Sequence, residues 1–244
     1  GAALDAYAAA GISSDHECTT AEEAAAKLRV GMRVFIREGS AARNLEALLP
    51  LVNASNKHRF CFCTDDRHPE DLHEQGHIDH VVRRAIALGL DPVWAIAMGS
   101  LHAAEHYRRP DLGAIAPGRW ANLFVCDDLR EVRARMVMHR GRVVARDGEM
   151  VPPRGGASVF PASGVRLPTG LSEASFRIAA PGNTQAKLRV IRVLPGQIVT
   201  AMDVETLRVE GGACVADVAA GRDLVKFALI ERHRGTGNIG LGFV

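Results

Sequence analysis

Met32-Arg-Val-Phe-Ile-Arg-Glu-Gly-Ser40 is the stretch whose reading decides the fold. Met32 to Ile36 alternates as a strand and ends in the polar Arg37-Glu-Gly-Ser40. Before it, Thr20-Ala-Glu-Glu23 makes a capping box, and Ala24, Ala25 and Leu28 continue at helical spacing until Gly31. After it, Ala41 to Leu49 reads as a helix closed by Pro50. His58-Arg-Phe-Cys-Phe-Cys63 then reads as a second strand, ending in Thr64-Asp-Asp66. Further upstream, Ala8-Ala-Ala-Gly-Ile-Ser13 leads into the polar Ser14-Asp-His-Glu17. Further downstream, the pattern predicts helices over His77 to Leu88 and Pro92 to His106. Strand, polar terminus and helix thus recur three times, which predicts an α/β fold with a parallel sheet.

From Gly113 the texture changes. Asn122-Leu-Phe-Val-Cys126, Val132 to Met138 and Arg142-Val-Val-Ala145 read as short strands, with a turn at His139-Arg-Gly141. Residues 151–170 hold four prolines and four glycines, the composition of a linker or long loop. From about 171 the chain is strand-rich, with strands expected at Leu188 to Leu194, Ile198 to Met202, Leu207 to Glu210 and Leu224 to Glu231.

Composition narrows the function classes. The 244 residues are 47% hydrophobic and 24% charged, which excludes a disordered chain. Lys+Arg (30) and Asp+Glu (28) nearly balance, so nothing calls for nucleic acid as a partner. No stretch approaches 18 uncharged apolar residues, so no membrane span is expected, and the start lacks the pattern of a signal peptide. The five cysteines are scattered without a C-x-x-C pair and read as buried thiols in a reducing compartment, the cytoplasm.

Chemistry concentrates where the three strands end. Active sites of parallel α/β folds lie at the carboxyl ends of their strands. Here those ends carry Asp15, His16 and Glu17, then Glu38, then Asp65 and Asp66. Turn formation accounts for aspartates there, but a histidine and two glutamates are unusual. Histidine with carboxylates suits zinc, iron or manganese, and a carboxylate beside an activated water can take and return its proton. Two other patterns carry less. His102 and His106 are spaced i, i+4, but the intervening Ala-Ala-Glu misplaces the glutamate of a zinc-hydrolase helix. Gly235-Thr-Gly-Asn-Ile-Gly240 fits G-x-G-x-x-G outside any βαβ unit, so no dinucleotide is expected.

Several blocks resemble the bacterial adenine deaminases of the amidohydrolase superfamily. They are Ser14-Asp-His-Glu-Cys-Thr-Thr-Ala-Glu-Glu23, Ile36-Arg-Glu-Gly-Ser-Ala-Ala42, Phe62-Cys-Thr-Asp-Asp-Arg-His68 and Gly76-His-Ile-Asp79. Gly113-Ala-Ile-Ala-Pro-Gly-Arg-Trp-Ala-Asn-Leu123 is similar to the passage from barrel to small β-sandwich. The similarity continues into Glu231-Arg-His-Arg-Gly-Thr-Gly-Asn-Ile-Gly-Leu-Gly-Phe243. The resemblance implies the last three βα units of a metal-dependent-hydrolase (β/α)8 barrel over residues 1–113 and a small β-sandwich segment over 114–150. A linker would follow over 151–170, then a strand-rich α+β C-terminal domain over 171–244.

The resemblance also implies hydrolytic deamination of adenine to hypoxanthine and ammonia by a metal-activated hydroxide, with one or two divalent ions. Mn2+ is the expected metal, with Fe2+ or Zn2+ as alternatives. His16 corresponds to the family's strand-six ligand, and Asp65 to its strand-eight ligand and proton shuttle. Asp66, Glu17, Glu38, Ser40 and His77 are the expected substrate contacts. The family's H-x-H, strand-four glutamate and strand-five histidine have no counterpart here. The chain is therefore expected to be a piece lacking the N-terminal part and extreme C-terminus, inactive alone, of an enzyme that forms homodimers or larger homo-oligomers. Two other readings stay open: an amidohydrolase acting on a cyclic amide or another amino-purine, and a non-catalytic interaction module.

Overall fold

A computed structural model describes residues 1–151, 164–216, 218 and 221–244. By internal contacts the chain divides into two units, Gly1–Gly156 with Gly196–Ile198, and Ala157–Pro195 with Val199–Val244.

The first unit is built on three parallel strands in the order β1 (Ser14–Asp15), β2 (Arg33–Arg37) and β3 (Phe60–Cys63). Ser14 pairs with Arg33, and Val34 to Arg37 pair with Phe60 to Cys63. The expected alternation of β2 gives way to burial on both faces from Val34 to Arg37, as a central parallel strand requires. One face carries Val34 and Ile36, which pack with Phe60 and Phe62 against Leu45, Val81, Ala85 and Met98. Each large side chain buried there contributes about 1.5–3 kcal/mol. On the other face, Arg33 Nη1 donates to the His102 carbonyl (2.8 Å).

Helices α1 (Ala2–Ala9) and α2 (Ala21–Arg29) flank β1 in sequence. Thr20 caps α2 by accepting from Glu23 N (3.2 Å), while Glu23 reaches back to Thr19 N (3.1 Å), one residue short of a full capping box. The helix expected from Ala41 forms only as α3 (Leu45–Leu48). Before it the backbone closes a loop, with Gly39 N donating to Ala42 O and Asn44 N to Arg37 O. Pro50 does not end this helix but sits within the 3-10 turn Leu49–Leu51 that continues it.

After β3 come α4 (Pro69–Glu74), α5 (Ile78–Ala87), α6 (Pro92–Met98) and α7 (Leu101–His106). The sequence pattern did not predict α4, although Pro69 at its first turn is a start signal. The single helix expected over Pro92 to His106 is two. They break at Gly99, where an added Cβ would lie 3.0 Å from methyls of Ile78 and Val82.

A four-stranded antiparallel sheet follows: β4 (Leu123–Cys126), β5 (Ala134–His139), β6 (Arg142–Arg146) and β7 (Glu149–Met150). The turn at Arg140-Gly141 has φ of 49° and 78°, the doubly positive geometry of a tight hairpin. The expected linker 151–170 lies largely outside the described residues.

The second unit holds β8 (Gln185–Val193), β9 (Thr200–Glu210), β10 (Ala213–Cys214), β11 (Lys226–Ile230) and β12 (Ile239–Phe243). The two strands expected between 198 and 210 are one, because β9 pairs without interruption with all of β8. Val190, Leu207, Cys214, Leu224 and Phe243 form its core.

Candidate metal centre

The carboxyl ends of β1, β2 and β3 meet at one rim. His16 and Glu17 follow β1, Arg37 ends β2, and Thr64 and Asp65 follow β3. Local turns aim these groups. Asp15 Oδ1 accepts from Glu17 N (2.8 Å) and lies 2.9 Å from Lys27 Nζ, which fixes the turn that carries His16. Burial alone would raise the Asp15 carboxyl; the Lys27 ammonium and the Glu17 amide outweigh it and hold it below the usual range. Asp65 has a left-handed backbone, φ 48°, which an aspartate tolerates better than most residues.

His16 Nε2 lies 3.4 Å from Glu17 Oε1 and 3.9 Å from Asp65 Oδ2. One ligand atom from each of His16, Glu17 and Asp65 lies within 4.8 Å of the other two. The Arg37 guanidinium is buried behind them, with Nη1 2.7 Å from Asp65 Oδ2 and Nη2 2.9 Å from Glu17 Oε2. A cavity of about 390 Å³ opens at this rim and is lined by His16, Thr64, Asp65 and His77 with Phe35, Phe62 and Tyr107. His77 Nε2 is 3.0 Å from Thr64 Oγ1, which fixes its ring.

An imidazole and two carboxylates are a donor set for Zn2+, Fe2+ or Mn2+. With bonds of about 2.0–2.2 Å, opposite ligands on one ion stand up to about 4.4 Å apart, so small side-chain movements close this set. The residues present fit a divalent ion. No cysteine sulfur belongs to this group among the described residues; burial pushes the Cys63 thiol up to about 12, Cys61 to about 11 and Cys18 to about 12.

The remaining expected site residues point elsewhere. Glu38 is buried, with Oε1 3.1 Å from Arg84 Nε and Oε2 accepting from Leu45 N (3.2 Å). Burial raises its carboxyl above the usual range. Ser40 accepts from His68 N (2.8 Å) and donates to Asp71 at the start of α4. Asp66 Oδ2 accepts from Ala41 N (2.9 Å), and its other oxygen abuts Gly39, where a Cβ would come within 1.8 Å. Sequence reasoning passed over Arg37 and the Thr64–His77 link. The available signal for Arg37 was an arginine two residues beyond Phe35 on the same face of a strand otherwise rich in apolar side chains.

Fold and rim together define an α/β protein with a candidate metal centre at the ends of parallel strands. The chain belongs to the amidohydrolase family, whose sequence profile matches residues 4–144. It is 45% identical over its whole length to an adenine deaminase of Desulfatibacillum aliphaticivorans, covering 42% of that protein. It is 43% identical over 99% of its length to the adenine deaminase of Methanothrix thermoacetophila, covering 41%. Against that of Geobacillus kaustophilus it is 41% identical over 99% of its length, again covering 42%. The chain thus spans about two fifths of the length of the curated relatives it matches. No helix among the described residues is long and apolar enough to cross a membrane.

Proposed function

We propose that these residues form the strand-six to strand-eight side of an adenine deaminase active site, which converts adenine and water to hypoxanthine and ammonia. The observation that carries this reading is the meeting of His16, Glu17 and Asp65 at one rim, in a chain 45% identical to an adenine deaminase over its full length. In this reading β1, β2 and β3 are the last three strands of a (β/α)8 barrel spanning 1–113. The sheet of β4 to β7 is the small β-sandwich segment of 114–150. Residues 151–170 link it to the C-terminal domain of 171–244. The parallel order of the first sheet and the antiparallel order of the second support that division.

His16 and Asp65 hold the divalent ion, with Mn2+ the first candidate. When bound, the ion supplies Lewis acidity that brings the pKa of water toward 7. Asp65 handles the proton: Arg37 engages Oδ2, which leaves Oδ1 to accept a proton from water and return it to the departing ammonia. His77, steadied by Thr64 in the cavity lining, meets the polar edge of a purine, and Glu17, with Oε1 turned toward His16, completes the donor set for the ion. Phe35 and Phe62 give the cavity its apolar wall. Glu38, Ser40 and Asp66 shape the loop between β2 and α3 rather than the cavity floor.

The test is a substrate panel on the full-length gene product with Mn2+ added, reading released ammonia for the amino-bases and loss of ultraviolet absorbance for dihydroorotate. Adenine is expected to be consumed far faster than cytosine or guanine, with no ring opening of dihydroorotate. Preference for any of the other three overturns the assignment.

A further inference from the structure

Arg37 lies beneath the rim and is 2% exposed, outside the cavity lining. Its side chain meets both carboxylates of the site, Asp65 through Nη1 and Glu17 through Nη2. Neither Nε nor Nη2 makes a geometrically sound hydrogen bond among the described residues, so Glu17 is held by an ion pair at 2.9 Å while Asp65 accepts a hydrogen bond from Nη1. The scaffold therefore offers this buried cation little polar support beyond the two rim carboxylates. Buried ion pairs of this kind are poor sources of stability, and apolar replacements are often neutral or better. The consequence of Arg37 lies in what it does to Glu17 and Asp65.

We propose that Arg37 is a positioning residue that fixes the Glu17 and Asp65 carboxylates beside His16 Nε2, at a spacing from which a divalent ion closes the set. This rests on the metal reading of His16 and Asp65. Glu17 divides its oxygens, Oε2 to Arg37 and Oε1 to His16 (3.4 Å). Without the guanidinium the two carboxylates repel each other, and Glu17, half exposed, turns into solvent. Charge alone argues the reverse, since deleting a cation next to the site strengthens its attraction for another cation. Positioning and charge thus predict opposite signs. Lysine separates them further: it keeps the charge but lacks the planar fork that spans two carboxylates.

The test uses the full-length gene product as wild type, Arg37→Met and Arg37→Lys, with His16→Ala as ligand control. Metal-free crystal structures are solved, and Mn2+ is titrated by electron paramagnetic resonance. In Arg37→Met the Glu17 and Asp65 carboxylates are expected to move apart, and Mn2+ affinity to fall about tenfold or more, the usual cost of removing a group that orients metal ligands. Arg37→Lys is expected to lie between. Unmoved carboxylates in Arg37→Met overturn the proposal whatever the metal does, and so does an Mn2+ affinity that rises. Equal Mn2+ binding by wild type and His16→Ala overturns the metal reading instead, while the metal-free structures still decide on Arg37. If Arg37→Met does not fold, Arg37→Lys decides: a wild-type arrangement of both carboxylates sinks the proposal.

Discussion

Asp65 and Glu38 each face an arginine, with burial reversed between the two pairs. At the rim the arginine is buried and the carboxylate is 40% exposed; behind β2 the carboxylate is 2% exposed and its partner Arg84 is 36% exposed. Glu38 uses both oxygens inside the fold, one on Arg84 and one on the Leu45 amide at the start of α3. Asp65 commits Oδ2 to Arg37 and keeps lone pairs free toward the cavity. The same chemical pair thus serves packing in one place and leaves a carboxylate facing the cavity in the other. Which partner faces water decides between them.

The sharpest way to break this comparison is Asp65→Asn in the full-length gene product. The amide keeps the shape and gives up the proton chemistry, so kcat/KM for adenine is expected to fall by about 10²–10⁴-fold. The urea midpoint is expected to fall as well, because the buried Arg37 guanidinium loses the charge of one of its two carboxylate partners. Near-normal turnover would remove Asp65 from the chemistry and collapse the distinction from Glu38.

Glu38→Ala should lower stability and spare turnover. It strands the Leu45 amide and leaves the partly exposed Arg84 guanidinium with Glu46 alone, at a cost of about 1–2 kcal/mol. Because burial raises the folded-state pKa of Glu38, the folded protein binds more protons than the unfolded chain above pH 4.5. Wild-type stability relative to Glu38→Ala should therefore be greatest at acid pH and decline as pH rises past 4.5. Urea titrations at pH 4 and pH 7 check the sign. A loss of turnover as deep as that of Asp65→Asn, with no loss of stability, would mean that both carboxylates serve catalysis.

Much of this contrast was legible in the sequence, though not all. The three βα repeats predicted the parallel sheet, because a capping threonine, alternating apolar residues and polar strand ends are local signals. His16 and Asp65 share a rim for the same reason, each following the end of a parallel strand. The directions of Glu38, Ser40 and Asp66 were not legible. Arg37 and Glu38 are neighbours, and adjacent side chains on an extended backbone face opposite ways. Glu38 found Arg84, 46 residues on, and Asp66 found the Ala41 amide, 25 residues back. Helix propensity over 41–49 yielded to a loop that closes on Arg37 O and Ala42 O, which no pattern of apolar spacing records. Gly99, where the predicted helix divides, likewise lies so close to α5 that an added Cβ would come within 3.0 Å of Ile78 and Val82, residues outside its own segment.

Asp15 sharpens the comparison from a third position, as a carboxylate that is less deeply buried than Glu38, 13% against 2% exposed, and shifted the other way. Asp15→Asn is expected to cost about 1.5–3 kcal/mol at pH 7, the range for hydrogen bonds to charged groups. Its folded-state carboxyl is held low, so this contribution is present above pH 3.8 and is lost as pH falls through the depressed value. Wild type and variant should converge in acid, where Glu38→Ala diverges most from wild type. A gap between wild type and Asp15→Asn that persists at pH 2 would assign the effect to packing rather than to the Lys27 pair.

The smallest effect belongs to the second carboxylate on Arg84. Glu46 Oε1 lies 2.5 Å from Arg84 Nη2, closer than Glu38 comes to the same guanidinium, but the Glu46 side chain is 65% exposed. Water competes for both of its oxygens, and ordering two long side chains offsets most of the attraction. Glu46→Ala is expected to change stability by less than about 0.5 kcal/mol, and less still at 1 M salt, which weakens exposed ion pairs. The measurement separates distance from burial. If Glu46→Ala costs as much as Glu38→Ala, proximity to the arginine sets the energy, and the reversed burial of the two main pairs does not explain their different roles.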